Sequence, residues 1–498
     1  MYSMGTEERA YMRKFENQVQ LIKYEVLKEV SRLALEGRLD EDLNAIPSII
    51  DPGPEPRTRC CIYKERAITV ERVKLALGGD KSNPNVVEVL ETACDACPIN
   101  RFVVTEACRG CLAHRCYDAC PVDAIHFVEH RAYINPNKCI ECGKCKEVCP
   151  YNAISDVMRP CRRACPTSAL SINEEKKAVI DNEKCIQCGA CVYQCPFGAV
   201  MDKSSIVEII QLLKKAKYNK DTKVYAVIAP AISSQFTYAK IGQVVNGIKM
   251  LGFHNVVEAA LGADIIAKHE AMEFVQKIEN QKIMTSSCCP AFVSFIKKNY
   301  PMLESKISHS VSPMIAVSRL IKNTDENAIV VFIGPCIAKK MEIKENGLRG
   351  SVDFVMTFEE LAALLDAAEI KVEYCDEDVL DNASFFGRIF ARTGGLTEAV
   401  RHVMEADNID IAFKPVSCDG IKECDKALKL ARVNKLDGNF IEGMGCIGGC
   451  IGGAASLHHG PKDRNEVDKY GKLAMEKDIH DSLRIFDIDK LVLDRNLK

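Results

Sequence analysis

KCIECGKCKEVCP (residues 138–150) and KCIQCGACVYQCP (residues 184–196) spell one pattern twice, C-x2-C-x2-C-x3-C-P. Three closely spaced thiolates on a tight loop can take three corners of a [4Fe-4S] cube, while the fourth cysteine, before proline, reaches a neighbouring cube. A structural zinc site gives no reason for the x3-C-P tail to occur twice. Two further tails run from Cys116 to Cys120-Pro121 and from Cys161 to Cys165-Pro166. Four tails imply four clusters. Cys108, Cys111 and Cys116 with Cys149, and Cys139, Cys142 and Cys145 with Cys120, complete a two-cluster unit whose first loop carries two extra residues. The remaining thiols close if a second unit encloses the first: Cys94, Cys97 and Cys161 with Cys195, and Cys185, Cys188 and Cys191 with Cys165.

The rest of the chain is read outward from this module. At 498 residues and 47% hydrophobic composition it has room for two or three domains, at least one with a sizeable core. A formal charge of -3 from 66 basic and 69 acidic residues gives no field for nucleic acid or anionic membrane. The start, MYSMGTEERAYMRKFENQ, is charged without an apolar core, and no run approaches ~18 apolar residues, so a cytoplasmic protein is expected. In that reducing compartment 26 cysteines read as metal ligands before disulfides. Residues from about 8 to 37 carry apolar positions at helical spacing (Val19, Ile22, Val26, Val30, Leu33), with Gly37 as a stop and DPGPEP as a linker. The expected division is an N-terminal helical segment and linker (1–59), an α+β multi-cluster module (60–203) and an α/β domain (204–498). Cys60 and Cys61, adjacent and without a third partner, read as inert or buried cysteines.

From Lys223 short apolar runs alternate with amphipathic helices: VYAVIAPAI, QVVNGIKMLGF, IVVFIGP, FEELAALLDAA. Turns at strand ends are where an α/β domain places its chemistry. Three such loops carry cysteine: TSSCCPAF (285–292), GPCIAKKMEI (334–343) and EGMGCIGGCIGG (442–453). Gly448, Gly449, Gly452 and Gly453 suit a backbone that approaches an inorganic cluster. The lexical G-x-G-x-x-G at Gly443, Gly445 and Gly448 is interrupted by cysteine and has no ribose-binding acid after it, which argues against a dinucleotide site.

In this order the three loops resemble the signature loops of [FeFe]-hydrogenases. DFVMTFEELAALL and ARTGGLTEAVRHV look like core segments of the same family, and the resemblance runs from about residue 222 to 460. It implies a hydrogenase-like α/β fold behind a bacterial-ferredoxin-like module. Carried over, it makes Cys289, Cys336, Cys446 and Cys450 ligands of a [4Fe-4S] cube. Cys450 would bridge to a diiron subsite bearing CO, cyanide and a dithiolate amine. Lys339 would donate to a cyanide and Glu342 would pair with it. Cys288, Glu273, Ser308 and Glu270, written in that order, would relay protons to solvent. By spacing alone Glu270 and Glu273 lie on one face of a helical pattern (AMEFVQKI), which otherwise reads as a solvated face.

The chain departs from the common form at Gly334 (usually Met), Ala291 and Phe292 (Gly and Trp) and Gly445 (Ala). Cys418 and Cys424 read as buried thiols, Cys375 has no assigned role, and His458 and His459 read as ordinary polar residues. The implied activity is reversible, 2 H+ + 2 e- to H2, with ferredoxin or a similar small carrier as electron partner and maturation proteins supplying the diiron subsite. No flavin or nicotinamide site is visible. The rival is a hydrogenase-like iron–sulfur assembly or scaffold protein; an electron-transfer protein without catalysis leaves the three C-terminal loops unexplained.

Overall fold

The computed structural model describes residues 15–219 and 221–495. Residues 8–14 of the expected first helix lie outside that range. Helix α1 (Gln18–Glu36) begins where the Asn17 side chain accepts the Gln20 amide and ends at Gly37, whose left-handed φ of 78° lets its amide close on Leu33 and Ala34. Ile22, Val26, Val30 and Leu33 are buried, while Val19 is half-buried. These side chains do not form a separate unit: Val26, Val30 and Leu33 share one core with the C-terminal strands. Helix α2 (Ile62–Ala76) follows the Pro-rich linker and packs against α1.

The cysteine-rich stretch is built from short antiparallel pairs. β1 (Val87–Val89) pairs with β8 (Val200–Asp202), and inside them β2 (Phe102–Val104) pairs with β5 (Ile154–Asp156). The remaining pairs are β3 (Ile125–Val128) with β4 (Arg131–Ile134) and β6 (Leu170–Ile172) with β7 (Ala178–Ile180). One strand pair therefore encloses another, as a nested unit requires.

After α3 (Ile206–Tyr218) the chain changes to parallel sheet. β9 (Val224–Ile228), β10 (Asn255–Glu258), β12 (Ile329–Gly334) and β13 (Phe354–Thr357) form a sheet of order β10-β9-β12-β13. A second parallel sheet has the order β11-β15-β14, from β11 (Met284–Thr285), β14 (Pro415–Cys418) and β15 (Phe440–Gly443). Near-continuous burial of VYAVI and IVVFIG reflects helices on both faces. The helices used below are α4 (Ile241–Met250), α5 (Ala259–Ile278), α6 (Pro290–Asn299), α7 (Pro313–Thr324), α8 (Phe358–Ala367), α9 (Phe385–Ile389), α10 (Gly395–Ala406) and α11 (Ile421–Arg432). α5 is buried between α7, α9 and α10. Register puts the working loops at one level: Thr285 pairs with Ile441 and Cys418 with Gly443, so the loops after β11, β14 and β15 leave from the same edge. Among the described residues no helix is long and apolar enough to cross a membrane.

Candidate functional site

Each of the four x3-C-P tails folds the same way. The amide four residues after the last cysteine donates to its sulfur: Ala124 to Cys120, Ala153 to Cys149, Ala169 to Cys165 and Ala199 to Cys195, all at 3.2–3.4 Å. The C-x2-C loops are matched too, with left-handed backbone at Glu141 and Gly143 (φ 57° and 80°) and at Gln187 and Gly189 (φ 55° and 78°). Such winding turns amides inward, a geometry that suits anionic clusters.

Tails and loops meet around cavities. Cys165, Cys185, Cys188 and Cys191 line one of about 360 Å³, Cys108, Cys111, Cys116 and Cys149 one of about 400 Å³, and Cys120, Cys139, Cys142 and Cys145 one of about 300 Å³. Cys94, Cys97, Cys161 and Cys195 form a fourth group, close enough that, after burial, Cys94 and Cys195 help raise the proton affinity of Cys97 and Cys161. Among the described residues no three ligating side chains converge on a point fit for a single ion. The first three quartets instead surround a space, and soft thiolates around a space fit an iron–sulfur cluster.

The fifth quartet is assembled by the parallel sheets. Cys289 caps α6 after β11, Cys336 follows β12, and Cys446 and Cys450 follow β15. Burial, then the neighbouring Cys289 and Lys339, act on Cys336 to leave its free thiol at about 11; burial with Cys336 and Cys289 takes Cys450 to about 12. Thiols this reluctant to ionise become thiolates when metal replaces the proton. The glycines here are required by contact. A Cβ on Gly452 would lie 1.9 Å from the Ile447 carbonyl oxygen, and one on Gly453 2.5 Å from that of Pro335. Asp419, at the end of β14, ties the loop down: its Oδ1 accepts from the Gly448 amide at 2.5 Å and the Thr393 hydroxyl at 2.7 Å.

Beside this quartet lies a cavity of about 530 Å³ lined by Cys288, Cys450, Lys339, Met314, Phe332 and Ala391, among others. Lys339 Nζ donates to Glu342 Oε2 at 3.1 Å and Ser312 Oγ at 3.3 Å. Burial works against its charge, but Glu342 and the cysteines at 336 and 450 outweigh it and hold the ammonium above its ordinary range. A buried cation thus points into an otherwise apolar chamber.

A polar chain runs from this chamber to the surface. Glu270 is 0% exposed and Glu273 8%, so the pair is no solvated face. Glu270 Oε1 accepts from the Ser287 amide at 3.2 Å and hydroxyl at 3.3 Å, next to Cys288. The Ser308 hydroxyl donates to Glu273 Oε2 at 2.5 Å and lies near enough to Glu270 to act on its proton affinity, while Glu270 Oε2 itself is buried without a hydrogen-bond partner among the described residues. Glu273 Oε1 then meets Lys277 Nζ at 2.6 Å, the His309 amide at 2.7 Å and the His309 ring at 3.8 Å, whose side chain is 46% exposed. The order is Cys288, Glu270, Ser308, Glu273, surface. This corrects the order expected from sequence, which put Glu273 next to Cys288: Glu270 lies one turn nearer the Cys288 loop, and Glu273 one turn nearer Lys277. Burial, then the Glu273 charge, push Glu270 up to about 8. Burial would raise Glu273 too, but the His309 amide, Lys277 and Ser308 hold it below the usual range. Burial and Glu270 keep Cys288 a neutral thiol.

The family model for the C-terminal domain of the "Iron only hydrogenase large subunit" matches residues 222–454, and 4Fe-4S binding and dicluster models match 105–123, 132–155 and 159–199. "Iron hydrogenase 1" of Clostridium pasteurianum is 30% identical over 404 residues, 70% of this chain and 69% of that one. The "Periplasmic [Fe] hydrogenase large subunit" of Nitratidesulfovibrio vulgaris is 32% identical over 388 residues, 66% of this chain and 86% of its own. The chain belongs to the iron-only hydrogenase family. Within the hydrogenase-like region it is also similar to the "Cytosolic Fe-S cluster assembly factor NAR1" of Meyerozyma guilliermondii, 28% identical over 186 residues, 33% of this chain and 35% of that one.

The departures from the family's common form have local compensations. A Cβ on Gly334 would lie 2.6 Å from the Phe332 ring, so Phe332 occupies the space of the missing side chain and lines the chamber itself. Phe292 packs likewise on Gly443, where a Cβ would sit 2.2 Å from its ring. Cys418 and Cys424 are buried, the latter donating to the Met444 carbonyl at 3.5 Å, and Cys375 sits at the surface near Lys371. His459 meets Glu16 at 2.9 Å and the Gly453 carbonyl at 3.0 Å, and its ring lies tilted 4.4 Å from that of Tyr193 in the last x3-C-P tail. His458 lies 3.6 Å from Asp463.

Sequence reading missed Asp419, Ser287, Lys277, His309 and Arg495. Lys277 had a signal in its i,i+4 spacing from Glu273. Arg495 had none. Residues 493–495 run beside the relay segment, with Val311 donating to Leu493 and Arg495 to His309, both at 2.8 Å. The Arg495 guanidinium reaches the Ser287 carbonyl at 3.5 Å and lies 3.8 Å from Glu342 Oε1.

Proposed function

We propose that the chain is a reversible hydrogenase, 2 H+ + 2 e- to H2, and that the observation carrying this reading is the buried polar chain leading from Cys288 to the surface. An apolar chamber meeting a cysteine quartet, a buried cation and a proton path has the parts this reaction needs. Cys289, Cys336, Cys446 and Cys450 would hold a [4Fe-4S] cube, and Cys450, which also lines the chamber, would hold the diiron subsite beside it. When bound, that group supplies the open iron coordination and the electrons by which two protons combine into H2. The residues do the rest. Lys339, fixed by Glu342, would donate to a cyanide. A proton taken up at Glu273 would pass through the Ser308 hydroxyl bonded to it, then to the buried Glu270 and on to Cys288 Sγ.

Residues 60–203 would act as the electron wire, with four accessory clusters on the quartets named above, and 204–498 as the catalytic domain. Ferredoxin or a similar small carrier would supply or take electrons, and maturation proteins would install the diiron subsite. The second reading, an assembly or scaffold protein, has the similarity to the NAR1 factor in its favour. Lys339, Glu342, Ser308 and the complete glycine-rich loop favour catalysis. Anaerobic H2 evolution by the matured protein with reduced ferredoxin tests the choice: turnover abolished by Cys450→Ala is expected, and no turnover from fully iron-loaded, matured protein would overturn the reading.

A further inference from the structure

Cys60 and Cys61 belong to none of the five quartets. Cys60 is exposed and Cys61 half-buried, and their Sγ atoms lie 4.0 Å apart. Neighbours in extended chain point to opposite faces, and Cys61 itself is extended, with φ -160° and ψ 159°. Anchors on both flanks accompany this unusual approach. The Thr58 hydroxyl and the Thr58 and Arg59 amides donate to the Glu65 carboxylate at 2.6, 2.9 and 3.2 Å. The Arg59 guanidinium donates to the Phe197 carbonyl at 3.0 Å and lies over its ring, two residues past Cys195. Lys64 pairs with Asp95, between Cys94 and Cys97. The two thiols are thus fixed against the loops of the Cys94–Cys97–Cys161–Cys195 quartet while remaining open to solvent.

The two sulfurs are not equivalent. Cys61 caps a helix of 15 residues, and the Lys64 amide, the Cys60 thiol, the Tyr63 amide and the Lys64 charge lower its thiol below the ordinary range. An accessible thiol of lowered proton affinity beside a second thiol is the arrangement of a redox-active dithiol, one sulfur attacking and the other resolving.

We propose that Cys60 and Cys61 form a reversible dithiol–disulfide site that exchanges with disulfide substrates, Cys61 attacking and Cys60 resolving. In the first step Cys61 Sγ bonds to one sulfur of an external disulfide RSSR, whose S–S bond breaks, and RS- leaves and takes a proton. In the second, Cys60 loses its proton and attacks Cys61 Sγ, expelling the other RS-. Two protein thiols are oxidised to one disulfide and RSSR is reduced to two RSH. The sulfurs must close from 4.0 Å to about 2.05 Å. An exposed disulfide of this kind belongs to the labile, regulatory class. The exchange requires neither the diiron subsite nor H2.

The test uses the full-length, cluster-loaded protein, incubated anaerobically with glutathione disulfide, quenched by alkylation and digested with trypsin. The peptide spanning residues 60–64 should be found unalkylated and two hydrogens lighter, and should return to the dithiol with dithiothreitol. Cys60→Ser should stop at a glutathione adduct on Cys61, and Cys61→Ser should react about tenfold more slowly, as expected when the activated thiolate is gone. Iron content, measured alongside, should match the parent in both variants. A peptide that stays doubly alkylated under excess glutathione disulfide would overturn the proposal, as would Cys61→Ser forming its adduct as fast as Cys60→Ser.

Discussion

Glu270 and Glu273 stand one turn apart on α5, and their neighbours give them opposite tendencies. Glu270, pushed up to about 8 by burial and then by the Glu273 charge, holds a proton at neutral pH. Glu273, bonded to Lys277 and the His309 amide, stays ionised. A carrier with affinity near the working pH is suited to accept and release. H2 evolution by the parent should therefore decline as pH rises through about 8, where Glu270 loses its proton. Glu270→Gln, assayed across the same range, should be slow throughout and lack that limb; a limb that persists removes Glu270 from the path. Cys288→Ala should lower turnover by about 100- to 10,000-fold while the CO and CN infrared bands survive. Cys289→Ala should lose bands and turnover together. The proposed relay residues were legible in sequence only through resemblance, because AMEFVQKI looks amphipathic until α5 is seen enclosed by α7, α9 and α10.

At the scale of elements, two pieces far apart in sequence hold the chamber in shape. Residues 493–495 bond to 309–311, and Arg495 reaches both Ser287 and Glu342. Misplacing a catalytic group by about 1 Å can cost about 100-fold. Arg495→Gln should accordingly lower H2 turnover by up to about 100-fold and shift the CN bands through Lys339, with Arg495→Lys recovering part of both. Unmoved bands and unchanged turnover would confine Arg495 to packing. The start of α9, whose Gly387 lines the chamber, is held by Asp264, which accepts from the Ser384 amide and hydroxyl at 2.7 and 2.6 Å and the Ser482 hydroxyl at 2.9 Å. Burial, partly offset by these donors, raises Asp264 to about 7. The fold thus prefers the protonated acid, and its contribution to stability falls as pH rises from about 4, the unfolded value, to about 7. Asp264→Asn should flatten that decline in thermal unfolding followed from acid to neutral pH. The alternation of strand and helix after Lys223 was legible because periodicity is local; Asp419 and Arg495 were not, because their partners lie in other loops.

At the scale of the whole molecule, the cysteine-rich stretch reaches the C-terminal loops. Gly189, between Cys188 and Cys191, has Ile337 and Ala454 within 2.6 and 2.9 Å of a notional Cβ, so its loop abuts the loop of Cys336 and the end of the loop of Cys446 and Cys450. Cys188 is near enough to Cys446 to raise its proton affinity. The four x3-C-P tails were legible in sequence, since their spacing is a covalent property of the chain, and the nested partition of ligands drawn from them is part of the proposal. Protein loaded with cubes but lacking the diiron subsite should contain about 20 irons, and a value near 12 would leave only the two strict motifs and the catalytic cube. By electron paramagnetic resonance Cys161→Ala and Cys94→Ala should remove the same signal. Infrared spectroscopy of the anaerobically matured protein tests the central claim most directly. The account predicts CO and CN stretches that disappear in Cys450→Ala; matured protein with its full complement of cubes and no such bands would contradict it.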